Sequence, residues 1–213
     1  MMTKEHIQQS IDNALIGKSN LTDSELSIRG FSTATMRHLF NNLCSIKKGN
    51  YLEIGLYCGA TFCSSFNKDT ISVGIENFSQ DFGINTVELE LKGNMSKFLP
   101  NAKAVKIIDA DCFSENAVDH KHKFDIYFFD GEHSEESQAK SLPHFIDKMN
   151  DTFAYIVDDT NWSQVSAGTK RGIQSLGDAI EIVYEWNLVG SKMNDDPIWH
   201  NGVKIFLINK KQK

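Results

Sequence analysis

Apolar positions change period several times along the chain, and each change predicts an element. Ile7, Ile11 and Leu15 recur every four residues, as on one helix face. The polar stretch from Gly17 to Gly30 reads as a mobile connection. Ser32 or Thr33 then caps a helix whose apolar face is Met36, Leu39, Phe40, Leu43 and Ile46. Lys47 and Lys48 suit its C-terminal dipole, and Gly49 ends it. From there, short apolar runs alternate with helical spacing. Residues 51–54, 71–75, 104–108, 124–129 and 153–157 read as strands, and 180–184 and 203–208 close the chain as two more. Residues 59–66 open a helix, and 84–99 carry Val87, Leu91 and Met95 at four-residue spacing. Residues 135–149 are helical with a weak point at Pro143, and 173–179 form a short helix. Strands that are apolar on both faces, alternating with helices, mean an open α/β sheet covered on both sides.

Composition narrows the classes without changing that picture. At 213 residues the chain holds one large domain or two small ones, and it is long enough to fold without a disulfide or metal staple. The net charge of −6 repels phosphate backbones, which argues against nucleic acid as a partner. No apolar run approaches the roughly 18 residues a membrane helix needs, and the first residues lack a signal-peptide core, so no membrane partner is expected. Cys44, Cys58, Cys63 and Cys112 form no CxxC pair or zinc spacing, which leaves a reduced, cytoplasmic setting as the expectation.

In open α/β sheets, ligands bind outside the carboxyl ends of the strands. After the first strand comes the run from Glu53 through Gly55 and Gly59 to Thr61. Its glycines allow a sharp turn and close approach to a ligand, and a carboxylate at Glu53 can hold an ammonium group. The spacing is GxxxG rather than GxGxxG. Glu76 ends the second strand about twenty residues later, the place of an acid that binds a ribose diol. Asp109 and Asp111 follow the third strand, where one acid can face an adenine amine or Asp111 or Ser114 can cap a helix. Asp130 follows the fourth strand in the run FFDGEH, and Asp158 and Asp159 follow the fifth in IVDDTNW. Three carboxylates converging at neighbouring strand ends repel unless a cation lies between them, and oxygen ligands suit Mg²⁺, Ca²⁺ or Mn²⁺. His133, three residues past Asp130, can reach the same place as a general base.

The runs YLEIGLYCGAT, FFDGEH and IVDDTNW, with Glu76 between them, resemble the class I, Rossmann-like S-adenosylmethionine-dependent methyltransferases. Within these they resemble the metal-dependent O-methyltransferases of small molecules, especially those modifying macrolide and aminocoumarin sugars. The resemblance covers about residues 36–208 and implies a doubly wound, mostly parallel seven-stranded sheet whose last strand is antiparallel. It implies S-adenosyl-L-methionine held by Glu53, Gly55, Gly59, Thr61, Glu76, Asp111 and Asp130. It also implies a divalent ion, Mg²⁺ first, on Asp130, Asp158 and Asp159, and His133 or Asp130 as the base. Residues 1–30 are then a helical extension or lid, and 31–213 the Rossmann-like domain. The implied partner is a small-molecule acceptor such as a sugar, polyol or phenol, and homo-oligomerisation stays open. The N-terminal segment, Trp162 and the 195–200 loop would build the acceptor pocket, with Trp162, Trp199 and His200 lining it. The Pro-Gly-Gly turn common before the fifth strand in relatives is replaced by Met149-Asn150-Asp151-Thr152. A nucleotide-binding oxidoreductase, a non-catalytic relative and a metal-dependent hydrolase are the competing readings. The first lacks its GxGxxG, and the last leaves the Glu-x-Gly-x-x-x-Gly loop without a role.

Overall fold

Val, Ile, Phe and Tyr fill the short runs between polar turns, and such side chains favour a pleated surface that is covered on both faces. In the computed structural model, which describes residues 1–79, 86–99, 104–117, 121–189 and 197–211, these runs are strands. They are β1 (Tyr51–Ile54), β2 (Ser72–Glu76), β3 (Val105–Asp109), β4 (Phe124–Phe129), β5 (Met149–Val157), β6 (Ile180–Leu188) and β7 (Val203–Lys210). They form one seven-stranded sheet in the order β3-β2-β1-β4-β5-β7-β6. β1 to β5 pair in parallel, and β7 runs antiparallel between β5 and β6. This is a Rossmann-like, doubly wound arrangement with its last strand antiparallel. Its strand order reverses between β1 and β4, the place where such sheets open a crevice.

The period of two along each strand divides the core into two layers. Ile126, Phe128, Ala154 and Ile156 face one side. There they meet buried residues of α1 (Lys4–Leu15), α3 (Ala34–Lys47) and α4 (Ala60–Ser65). Tyr127, Phe129, Tyr155 and Val157 face the other. They pack on Leu142 and Phe145 of α6 (Glu135–Phe145) and Val165 of α7 (Ser163–Ser175). Each fully buried Phe contributes about 1.5–3 kcal/mol of transfer free energy. Ile54 pairs with both Ile75 and Phe129, and Phe129 pairs with Val157. The ends of β2, β1, β4 and β5 are therefore level, and the loops that leave them emerge at one rim.

Residues 1–30 pack on α3 and reach β6. Ile7, Ile11 and Ala14 share the core of α3, and the Trp186 indole N–H donates to Gln8 Oε1 at 2.9 Å. The polar stretch contains a helical turn, α2 (Asp23–Leu26), closed by a reciprocal Thr22–Glu25 capping box. It is tied to α3 by Asn20 N–H on Asn41 (3.0 Å) and by the Asn42 amide on the Lys18 carbonyl (2.9 Å). Thr33 is the cap of α3, accepting from the Met36 N–H.

Several element boundaries differ from expectation. α6 stops at Phe145, and a 3-10 turn, Ile146–Lys148, leads into β5, which begins at Met149. β6 runs to Leu188, because its antiparallel pairing with β7 carries it past the apolar run. α7 replaces the short helix expected at 173–179. Its sequence, SQVSAGTKRGIQS, carries few apolar residues, and two glycines share its inner face with Val165 and Thr169. A Cβ on Gly168 would lie 2.4 Å from the Glu135 carbonyl oxygen, and one on Gly172 2.6 Å from that of Ala139. The two helices meet backbone to backbone, a contact that hydrophobic periodicity does not register. The helix expected at 84–99 is α5 (Val87–Phe98); residues 84 and 85 lie outside the described residues.

Candidate functional site

At the rim between β1 and β4 the chain leaves β1 through Gly55, at φ +84°. A Cβ there would fall 2.0 Å from the Asp130 carbonyl oxygen, so only glycine fits both the backbone angle and the space. Gly59, at φ +82°, opens α4 with Leu91 pressed against it. Tyr57 takes a left-handed conformation between them, at φ +49°. Glu76 at the end of β2 braces this turn: its Oε2 accepts from the Leu56 and Tyr57 N–H groups (2.8 and 3.0 Å), and its Oε1 accepts from Phe78 (2.8 Å).

Glu53 and Thr61 lie beneath the turn rather than on the cavity wall. Glu53 is fully buried and accepts from the Tyr51 hydroxyl at 2.6 Å and from the Thr61 hydroxyl. Burial pushes its carboxyl up to about 8, and the two hydroxyls oppose that. The pair holds the loop from below. An ammonium group at Glu53, as the sequence suggested, would have to reach a carboxylate buried beneath the turn.

Above the turn opens a cavity of about 570 Å³, within the range of small-molecule sites. Gly55, Tyr57, Glu76 and Asp111 line one part; Asp130, His133, Asp158, Asp159, Trp162 and His200 line another. Asp111 accepts from the Phe113 N–H at 2.9 Å, a local turn that holds it at the cavity edge, whereas Asp109 does not line the cavity. None of residues 1–30 lines it, but Phe31 does. Of the aromatic residues expected around an acceptor, Trp162 and His200 line the cavity and Trp199 is buried in the core. Residues 195 and 196 of the expected 195–200 loop lie outside the described residues.

The acids come together as their positions suggest. His133 Nε2 stands 2.8 Å from Asp159 Oδ2 and 3.7 Å from Asp130 Oδ1, and among the described residues no aligned hydrogen bond reaches it, so the pairing is one of charge. Ligand-capable atoms of Asp130, His133 and Asp159 all lie within 4.8 Å of one another. Asp158 adjoins them, its Oδ1 accepting the Asp159 N–H at 3.0 Å. Asp159 occupies the left-handed region, at φ +55°, which turns its side chain into the group. Burial pushes the Asp130 carboxyl up to about 6; His133 opposes the rise, while Asp159 adds to it. Burial and the neighbouring Asp130 and Asp159 raise Asp158 well above the usual carboxylate range. Asp130 and Asp159 push the His133 imidazole up to about 10. Asp159 Oδ1 is buried with no hydrogen-bond partner among the described residues. Crowded carboxylates, an orphaned oxygen and a nitrogen donor fit a divalent cation. The His133 ring also packs edge-on against Trp162, centroids 5.0 Å apart.

Sequence reasoning gave no role to Phe31 or Tyr57, whose rings stand 5.1 Å apart at the cavity. Phe31 lies outside every strand end, so the rule that directed attention to those ends could not find it. Tyr57 stood within the glycine run, masked by the glycines as the stronger signal.

No family model matches the sequence, and no curated protein matches it. Solved structures match it in fold. An O-methyltransferase from Bacillus cereus in complex with S-adenosylhomocysteine is 11% identical, with a TM-score of 0.61 over 98% of this chain and 93% of that one. The O-methyltransferase TomG from Streptomyces achromogenes, involved in tomaymycin synthesis and bound to S-adenosylmethionine, is 14% identical. Its TM-score is 0.61, over 98% and 91% of the two chains. A methyltransferase of Podospora anserina with S-adenosylhomocysteine is 13% identical, with a TM-score of 0.58 over 99% and 89%. The fold is thus shared along nearly the whole length of these proteins, and the chain has their Rossmann-like methyltransferase architecture.

Proposed function

We propose that this chain is an S-adenosylmethionine-dependent O-methyltransferase that moves a methyl group to a hydroxyl of a small molecule, with a divalent ion at its acid cluster. One observation carries the reading: the glycine turn with Glu76 and the Asp130–His133–Asp159 group open into the same cavity at the sheet's crossover. Donor and acceptor need such proximity, because methyl transfer is an in-line displacement in which alignment supplies much of the acceleration. The sulfonium C–S bond breaks and sulfur keeps its electron pair. The acceptor oxygen forms the new C–O bond and gives up its proton to the Asp130 carboxylate, or to His133 Nε2 where a bound cation would offset the carboxylates that hold a proton on it.

Gly55, on the cavity lining, would let the backbone approach the donor, Gly59 shapes the turn that opens α4 against Leu91, and Glu76 has acceptor capacity left for ribose hydroxyls. Asp111, at the cavity edge, would face an adenine amine. Asp130, Asp158 and Asp159 would hold the ion, with Mg²⁺ the expected occupant and Mn²⁺ accepted by the same oxygens. Such an ion supplies positive charge that offsets the crowded carboxylates and favours ionisation of a hydroxyl beside it. Trp162 and His200 give the acceptor an aromatic wall, which suits a sugar, polyol or phenol. Among the described residues no helix is long and apolar enough to cross a membrane.

Isothermal titration of the chain with S-adenosylhomocysteine, and separately with NAD, tests the donor. Binding of the first alone is expected, and NAD binding without it would favour the oxidoreductase reading. Methyl transfer to a panel of sugars, catechols and polyols, with and without EDTA, tests the acceptor class and the ion.

A further inference from the structure

Gly168 and Gly172 draw α7 onto the backbone of α6. Helical geometry then places Ser166, Lys170 and Ile173 on the side of α7 turned away from those glycines. Between that side and the outer strands β6 and β7 lies a second cavity of about 440 Å³, within the range of small-molecule sites. It shares no lining residue with the cavity at the rim. Phe206 of β7, Ile173 of α7 and Ile182 of β6 give it an apolar lining, and the Phe206 ring is fixed by stacking on Tyr155 at 6.0 Å. Its charged groups are Lys170, Lys204 and a single acid, Glu185. Lys204 leans on Glu185 at 3.4 Å, whereas the exposed Lys170 has no ion pair among the described residues. Thr169 lines the cavity too; it is 3% exposed, and its hydroxyl has no hydrogen-bond partner among the described residues. A buried hydroxyl without a partner is costly, and a ligand oxygen bonded to it removes that cost.

We propose that this second cavity binds a small amphipathic monocarboxylate, its apolar body against Ile173, Ile182 and Phe206 and its carboxylate held by Lys170. Surplus positive charge beside an apolar lining, on a chain whose net charge is −6, selects a ligand of the opposite design: apolar along its length and negative at one end. Lys170 is the anchor because Glu185 already offsets Lys204. A neutral ligand of the same length gains the apolar contacts alone, and a cationic one meets two lysines against one carboxylate. The inference stands apart from methyl transfer, since none of the residues assigned to donor, ion or proton transfer takes part in it.

Isothermal titration of the full chain with octanoate, octanol and octylamine, which share a chain and differ in end-group charge, tests this. Octanoate should bind saturably, octanol more weakly and octylamine most weakly. Lys170→Glu reverses the anchoring charge on an exposed side chain; it should weaken octanoate by roughly three- to tenfold and shift octanol by less than about twofold. Ile173→Trp, which fills the cavity, should abolish octanoate binding; should that variant fail to fold, Lys170→Glu still decides. Absence of saturable octanoate binding at millimolar concentration, octylamine binding as tightly as octanoate, or unchanged octanoate affinity in Lys170→Glu would overturn the inference. Displacement of octanoate by saturating S-adenosylhomocysteine would put it in the rim cavity instead and overturn the inference too. A chain that binds octanoate as described but not S-adenosylhomocysteine would support the inference and overturn the proposed function alone.

Discussion

Gly55 and Asp130 touch backbone to backbone across the two central strands, with only 2.0 Å between the Asp130 carbonyl oxygen and the place a Cβ on Gly55 would take. The turn that would receive the donor and the strand end that carries the acid cluster are thus one packed unit. Gly55→Ala should force them apart and strain a backbone angle that alanine rarely adopts, costing about 1–3 kcal/mol. Urea denaturation and titration with S-adenosylhomocysteine would show both losses together; a variant that keeps parent stability and affinity would contradict the contact.

Glu53 predicts a pH dependence of stability. Burial raises its carboxyl in the folded chain to about 8, against an ordinary value of 4.5. The folded state therefore keeps a proton that the unfolded state releases, and stability falls as pH rises from about 4.5 through about 8. Glu53→Gln, neutral throughout, should remove this slope. Denaturation midpoints from pH 4 to 9 for both proteins check it, and parallel curves would refute it.

Asp158 predicts an exchange of stability against activity. It is held among like charges, so Asp158→Asn should raise the thermal midpoint of the metal-free protein by a few degrees. The same variant should lose the midpoint increase that millimolar Mg²⁺ or Mn²⁺ gives the parent, along with methyl transfer. Thermal scans with and without each ion decide this; a lowered metal-free midpoint would mean that the carboxylate stabilises the fold.

His133 lines the cavity and packs on Trp162. His133→Ala should slow methyl transfer by roughly 10²–10⁴-fold if its nitrogen takes the proton. Affinity for S-adenosylhomocysteine should hold. A full rate in this variant would transfer the role to Asp130.

Much of this arrangement was legible in the sequence because it depends on local patterns. Two-faced apolar runs such as Phe124–Phe129 announce interior parallel strands, and acids placed directly after them are costly unless they serve a site. The features that the sequence concealed depend on neighbours distant along the chain. α7 was hidden because Gly168 and Gly172 pack on backbone, leaving no apolar stripe to read. The role of Glu53 beneath the turn depends on hydroxyls of Tyr51 and Thr61 that only folding brings to it. His133 was legible as a neighbour of the acids, but its position between Asp130 and Asp159 depends on the left-handed turn at Asp159. Phe31 reaches the cavity through tethers to α5, α4 and the loop before β7, none of which is a sequence motif.

The most direct test is a crystal structure of the chain grown with S-adenosylhomocysteine and Mn²⁺, using the anomalous signal of manganese to locate the ion. The ribose is predicted against Glu76, and the manganese peak among Asp130, Asp158 and Asp159 in the same cavity. A nucleoside bound away from the Gly55 turn, or manganese absent from the three aspartates at saturating concentration, would contradict the shared site on which methyl transfer depends.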